Sequence, residues 1–147
     1  SQYINALRAA GTEDTLAAGD FARLERLFAA KMDMSWLSGD VLEAQKDIWR
    51  QSGLAGMINW YRASPLVVAD PGAPIPMPDL PVDRLHVRCP HLLIWGMNDA
   101  ALLPMSNAGL EAFAPDLTRV EVPDADHWVC HQQPDVVAEA VLGWLDG

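Results

Sequence analysis

The sequence predicts an α/β protein in which a helical region precedes a short parallel β-α-β-α unit. Three observations carry this prediction. Residues 1–64 hold helical periodicity and cap signals without a strand-like run. Residues 65–90 gather seven of the chain's 11 prolines. Residues 91–147 alternate compact apolar runs with helix-forming stretches, which is the material of a parallel sheet covered by helices.

In the first region, Asp20 is placed to cap a helix over Phe21–Phe28, in which Phe21, Leu24, Leu27 and Phe28 supply the apolar face. Asp40 followed by Glu43 resembles a capping box with Asp in place of Ser or Thr, and opens a helix through Leu42, Gln45 and Trp49. Gly53 ends it, and a further helix is expected from Leu54 to Arg62. Residues 65–90 read as a connector laid over a surface. Its prolines remove backbone donors, while Leu66, Val67, Val68, Ile75 and Leu80 are interleaved among them.

From 91 onward, His91–Gly96 is a continuous apolar run bounded by Pro and Gly, as for a strand buried on both faces. Pro104–Phe113 can form a helix, and Leu117–Val122 a second strand. Pro134 suits the first turn of a closing helix whose Val136, Val137, Ala140, Val141, Trp144 and Leu145 form one wide apolar stripe. Two parallel strands do not make a stable sheet by themselves. The sequence is therefore expected to be the C-terminal part of a larger α/β protein, with the remaining strands supplied by another chain or segment.

The charge balance is acidic, with Lys+Arg 10 against Asp+Glu 20 and a net charge of −10. That argues against nucleic acid as a partner, because phosphate affinity needs a basic face. At 50% hydrophobic and 20% charged residues, wholesale disorder is excluded. No apolar run approaches the roughly 18–20 residues of a membrane span, so no membrane partner is expected. Cys89 and Cys130 sit in no CxxC or metal-ligand spacing and are expected to be free, packed thiols. Together with the absence of a legible signal peptide, they favour a cytoplasmic setting. Neither a metal nor a cofactor is expected.

Two loops carry chemistry. Trp95-Gly-Met-Asn-Asp99 places a carboxylate just after the first strand, and Val122-Pro-Asp-Ala-Asp-His127 places a histidine just after the second. Groups at the carboxyl ends of parallel strands face the crevice where ligands bind. An acid from one strand and a His from its neighbour form the acid–base half of a triad in the order nucleophile, acid, His. Asp99 equally suits the cap of the following helix, and a lone His is more often structural, so both readings stay open at this point.

These residues resemble a known family. Trp95-Gly-Met-Asn-Asp99, the 28 positions to His127, and the closing helix look like the C-terminal end of an α/β-hydrolase. Gly53-Leu-Ala-Gly-Met-Ile-Asn-Trp-Tyr-Arg62 is similar to the cap segment of the epoxide-hydrolase branch, which includes haloalkane dehalogenase relatives. The resemblance implies a helical cap over 1–64, the Pro-rich connector over 65–90 and the C-terminal part of the hydrolase core over 91–147. It implies that Asp99 orients His127, and that His127 activates the water that hydrolyses a covalent intermediate. Tyr61 would donate to the epoxide oxygen, with Tyr3 as second tyrosine, although each also suits an ordinary packing position. Trp60 and Trp128 would contact an apolar small-molecule substrate.

The sequence also departs from the family. The residue before the His is commonly Gly there and is Asp126 here, and His131 offers a rival base. No G-x-S-x-G or strand-turn-helix elbow precedes residue 53, so the nucleophile is expected on a partner N-terminal half. An Asp nucleophile with two cap tyrosines would favour epoxides, a Trp or Asn halide pair haloalkanes, and a Ser nucleophile esters. Trp36, Trp49 and Trp60 keep the halide alternative open, and a non-catalytic ligand-binding relative is a further one.

Overall fold

The computed structural model describes residues 2–64 and 81–147, leaving the side chains of Gln2, Tyr3, Val82 and Asp83 undescribed. The expected connector lies outside the described residues as far as residue 80. The chain divides into two compact units, Ser1–Phe28 with Leu37–Asp79, and Ala29–Trp36 with Leu80–Gly147.

The first unit contains helices α1 (Gln2–Arg8), α2 (Thr12–Ala17), α3 (Ala22–Ala29), α4 (Gly39–Ser52) and α5 (Ala55–Ala63). Leu16, Phe21, Leu24, Trp49, Leu54 and Ile58 are its buried core, with Leu7, Ala17 and Phe28 packed against them. Phe21 meets Trp49 edge-on at 5.3 Å between ring centroids. Leu27, expected in this face, is exposed. Within α3, at about 100° per residue, Leu24 and Phe28 share one side of the helix, while Leu27 is turned about a quarter circle from Phe28.

Neither expected cap forms. Asp20 and Phe21 both have positive φ, 55° and 68°, and α3 begins only at Ala22. The Asp20 carboxylate instead accepts from Arg50 Nε at 2.9 Å and Nη2 at 2.6 Å. The left-handed turn, unfavourable for a Phe, places its ring in the core. At α4 the N-cap residue is Ser38, Asp40 lies within the first turn, and Glu43 pairs with Lys46 and Arg50 rather than reaching back to a cap. Gly53 does end this helix: with φ of 66° it donates its N–H to the Trp49 carbonyl.

The second unit is built on strands β1 (His91–Gly96) and β2 (Leu117–Val122), which pair in parallel from His91↔Leu117 to Gly96↔Val122. Helices α6 (Val129–Gln132) and α7 (Pro134–Leu145) follow, and α7 packs on β1. The stretch expected to be one helix over Pro104–Phe113 is two 3-10 turns, Pro104–Asn107 and Leu110–Ala112. Extended Ala108 and left-handed Gly109 (φ 81°) separate them. Arg119 reaches from β2 to bond Asn107 Oδ1 (2.7 Å), the Asn107 carbonyl (2.9 Å) and Glu111 (2.6 Å), which holds both turns.

The expectation that β1 is buried on both faces is not met, because Leu92–Trp95 are half-buried. A sheet of two strands, all that the described residues contain, leaves edges and face area uncovered. The apolar stripe of α7 is likewise only partly covered: Val137, Ala140 and Trp144 are half-buried, whereas Val136, Val141 and Leu145 are exposed. Cys89 and Cys130 are free but exposed, not packed as expected. No helix among the described residues is long and apolar enough to cross a membrane.

Candidate active site

The parallel register sets Gly96 beside Val122, so the two strands deliver their following loops side by side. The loops are then stitched together by backbone bonds. Met97 N–H donates to the Val122 carbonyl at 3.0 Å and Asn98 N–H to the Ala125 carbonyl at 2.9 Å, while Asn98 Nδ2 reaches the Pro123 carbonyl at 2.9 Å. Gly96 is required by this crossing. A Cβ built there would lie 2.2 Å from the Asp126 carbonyl oxygen and 2.7 Å from that of Ala125. The glycine of the Trp-Gly-x-x-Asp sequence is thus a matter of backbone approach.

Across these loops His127 Nδ1 lies 2.9 Å from Asp99 Oδ2. A carboxylate only accepts, so Nδ1 carries the hydrogen and Nε2 is left as the basic nitrogen. Asp99 is 5% exposed, whereas the His127 side chain is 34% exposed, which suits a buried orienting acid and a base that must meet water. The other Asp99 oxygen accepts the N–H groups of Ala101 and Leu102, each at 2.8 Å. The two readings of Asp99 are therefore compatible: one carboxylate oxygen caps the turn, and this fixes the other against the imidazole.

Trp128 packs its ring edge-on against His127, with centroids 5.4 Å apart, and is half-buried. His131, the rival base, is stacked on Trp36 at 3.9 Å with ring planes 5° apart. The Asp99 carboxylate is already engaged by His127, Ala101 and Leu102, so the acid–base geometry belongs to His127.

Asp126 gives the sequence departure a structural role. It is 7% exposed, and its two oxygens accept the Asp33 N–H at 2.7 Å and the Trp128 N–H at 2.9 Å. Its own N–H donates to Gln132 Oε1 at 2.8 Å. Neither Asp33 nor Gln132 stood out in the sequence. Asp33 lies 93 positions away, and no local pattern marks it.

In the first unit, Tyr61 lies on α5 and is half-buried, and Trp60 on the same helix is 78% exposed. Tyr3 is in α1, with its side chain outside the described residues. The polar members of the Asn59-Trp-Tyr-Arg62 segment brace this unit. Arg62 bonds Asn59 Oδ1 at 3.2 Å, the Ala9 carbonyl at 3.0 Å and both carboxylate oxygens of Glu13, at 3.1 and 2.5 Å. Arg62 thereby holds the Glu13 carboxyl below its ordinary range. Of the tryptophans that kept the halide alternative open, Trp49 is core against Phe21 and Trp36 packs on Trp128 and His131. A cavity of about 250 Å³ lined by Leu93, Trp95, Met97, Arg119 and Glu121 among others includes neither Asp99 nor His127.

No family model matches the chain. An AB hydrolase superfamily protein of Bacillus subtilis, YfhM, is 26% identical over 134 residues, which is 90% of this chain and 43% of that protein. The epoxide hydrolase srdG of Neurospora crassa is 26% identical over 131 residues, 86% of this chain and 35% of that protein. Haloalkane dehalogenase 2 of Mycobacterium tuberculosis is 43% identical over 54 residues, 36% of this chain and 19% of that enzyme. Among solved structures, a Bacillus megaterium epoxide hydrolase superposes with a TM-score of 0.78 at 19% identity, over 100% of this chain and 51% of that one. A metagenomic epoxide hydrolase from hot environments superposes with a TM-score of 0.70 at 32% identity, over 99% and 50%. The chain thus spans about half the length of these solved structures and less than half of the curated relatives. Its helices and small parallel sheet correspond to a C-terminal part of the fold, and the chain is related to the α/β hydrolases and, within them, to the epoxide-hydrolase-like branch.

Proposed function

We propose that this chain is the cap and C-terminal part of a hydrolase that opens an epoxide to a diol, working with an N-terminal half that carries the nucleophile. The observation that carries the proposal is the Asp99–His127 pair, 2.9 Å apart at the matching ends of two adjacent parallel strands. A carboxylate nucleophile on the N-terminal half attacks an epoxide carbon, and the C–O bond breaks. Tyr61 and Tyr3 donate to the oxygen as negative charge develops on it. The product of this step is an ester. His127 takes a proton from water at Nε2 and the resulting hydroxide attacks the ester carbonyl; the acyl C–O bond then breaks, the proton on His127 passes to the departing oxygen, and the diol leaves as the carboxylate is restored. Asp99 stabilises the imidazolium. Trp60 and Trp128 contact the apolar part of the substrate, and the free thiols Cys89 and Cys130 fit a cytoplasmic enzyme.

The test is His127→Gln in the assembled enzyme. Loss of a general base typically lowers the rate by about 10²–10⁴-fold, and the loss should fall on ester hydrolysis. Mass spectrometry after substrate addition should then show a stable adduct on the N-terminal half. Turnover at the wild-type rate would make His127 a structural residue. A second reading, dehalogenation of a haloalkane, is favoured by the similarity to the mycobacterial haloalkane dehalogenase. It shares the covalent ester and the role of His127 but needs no donor to an epoxide oxygen, so Tyr61→Phe separates the two.

A further inference from the structure

We infer that Asp126 is a positioning residue for His127, acting through a closed ring of hydrogen bonds that fastens the histidine loop to the Ala29–Trp36 segment; this rests on the proposed role of His127. A carboxylate at this position would face water if it merely replaced a glycine. Here it is almost fully buried, and both its oxygens accept backbone N–H groups, one from Asp33 and one from Trp128. Gln132 closes the ring from the other side. Its Oε1 accepts the Asp126 N–H at 2.8 Å, and its Nε2 donates to the Asp33 carbonyl at 3.2 Å.

His127 is therefore held at both of its neighbours. The residue before it is tied through its N–H to Gln132, and the residue after it through its N–H to Asp126. The same two stretches are held a second time by rings: Trp36 packs on Trp128 at 5.3 Å and stacks on His131 at 3.9 Å. Only the imidazole is left to be set, and Asp99 sets it. Asp33 turns its own carboxylate to the Ser35 N–H at 2.9 Å, which leaves its backbone N–H to Asp126. All of these groups lie within the second unit.

Replacement by Asn is a selective probe. The amide has one acceptor oxygen where the carboxylate has two, so its NH₂ group must face one of the two N–H donors. Replacement by Ala removes both acceptors. The measurements are hydrogen exchange at the Asp33 and Trp128 amides and at His127 Nδ1–H in the assembled protein, by NMR. Asp99→Ala, which leaves His127 Nδ1 without its acceptor, marks the signal of a lost Asp99–His127 bond. Kinetics in the assembled enzyme complete the set.

Asp126→Asn should lose protection at one of the two amides and Asp126→Ala at both, with faster Nδ1–H exchange in each. Ester hydrolysis should fall about tenfold in the Asn variant and about a hundredfold in the Ala variant, as expected for successive loss of hydrogen bonds to a charged group. Alkylation of the nucleophile should keep its rate. If Asp126→Ala fails to fold, Gln132→Ala, which removes the acceptor of the Asp126 N–H, is read on the same His127 signal. Unchanged amide protection in Asp126→Ala would overturn the ring. Lost amide protection with an unchanged His127 signal would overturn the positioning role and leave a structural contact only. An assembled enzyme that opens no epoxide would remove the proposed function, whereas the exchange measurements would still decide whether Asp126 sets His127.

Discussion

Asp99→Asn tests how much of the site depends on charge and how much on shape. The wild-type carboxylate receives three hydrogen bonds, from Ala101 and Leu102 N–H at 2.8 Å each and from His127 Nδ1 at 2.9 Å. In the Asn variant the carbonyl oxygen can keep the two cap bonds, which leaves Nδ2–H facing Nδ1. Two donors cannot bond, so Nδ1 must become the acceptor and the hydrogen moves to Nε2, the atom that has to take a proton from water. The same replacement in a Ser-His-Asp triad lowers turnover about 10⁴-fold for this reason, and a loss of that order is expected in ester hydrolysis here. Stability should change little by comparison. One charge-assisted bond becomes a neutral one, costing about 1–2 kcal/mol, whereas Asp99→Ala also strands two amides and should cost about 3 kcal/mol. Single-turnover hydrolysis measures the first effect, ¹⁵N NMR of the imidazole reads the tautomer, and urea denaturation of the assembled protein gives the stability difference. Hydrolysis at the wild-type rate in Asp99→Asn would show that Asp99 is only a cap and would refute the reasoning.

Three further predictions follow from separate parts of the structure. Gly96→Ala should force the 125–126 backbone away from β1, destabilising the second unit by about 1–3 kcal/mol or more and slowing ester hydrolysis; a thermal midpoint and rate equal to wild type would contradict the crossing described above. Tyr61→Phe keeps the ring and removes one donor to the developing alkoxide, so epoxide alkylation should drop by about 30-fold while haloalkane or ester turnover is largely kept. A silent Tyr61→Phe together with a silent Tyr3→Phe would remove the epoxide assignment. Because the hydrogen bond from Arg62 lowers the Glu13 carboxyl below its ordinary value of 4.5, this pair supports the first unit above that value and loses the contribution as pH falls through the lowered one. Unfolding midpoints followed by circular dichroism from about pH 6 to about pH 3 should fall less steeply in Arg62→Met than in wild type, and identical slopes would show that the pair is not linked to folding.

Both strands could be read from the sequence at their observed boundaries, because β1 is a short apolar run closed by Pro and Gly and β2 a short stretch of interleaved apolar and polar residues closed by Pro123, and that punctuation is local. The α5 helix and the Pro134 start of α7 were readable for the same reason. The positions of Asp99 and His127 followed as soon as the two strands were taken as parallel neighbours, since loops at matching ends must meet. The single helix expected over 104–113 failed because its periodicity gave no weight to Gly109, and because Arg119, supplied by a later strand, favours two separate turns. The Asp20 cap failed through a similar competition, in which Arg50 from α4 takes the carboxylate and the burial of Phe21 draws the backbone into a left-handed turn.

The class of fold, the two strands and the Asp99 and His127 that follow their carboxyl ends are legible in the sequence. These depend on the spacing of apolar residues and on turn chemistry within a few positions of each other. Folding adds what no local pattern carries: Asp99 bonds the 101–102 amides and His127 at once, Gly96 lies under a crossing backbone, Ala29–Trp36 belongs with the second unit, and Asp126 is tied to Asp33. Each of these is a contact between backbone groups or side chains distant in the chain, in one case 93 positions apart, and such a contact leaves no periodic trace because any residue can offer the same N–H or carbonyl.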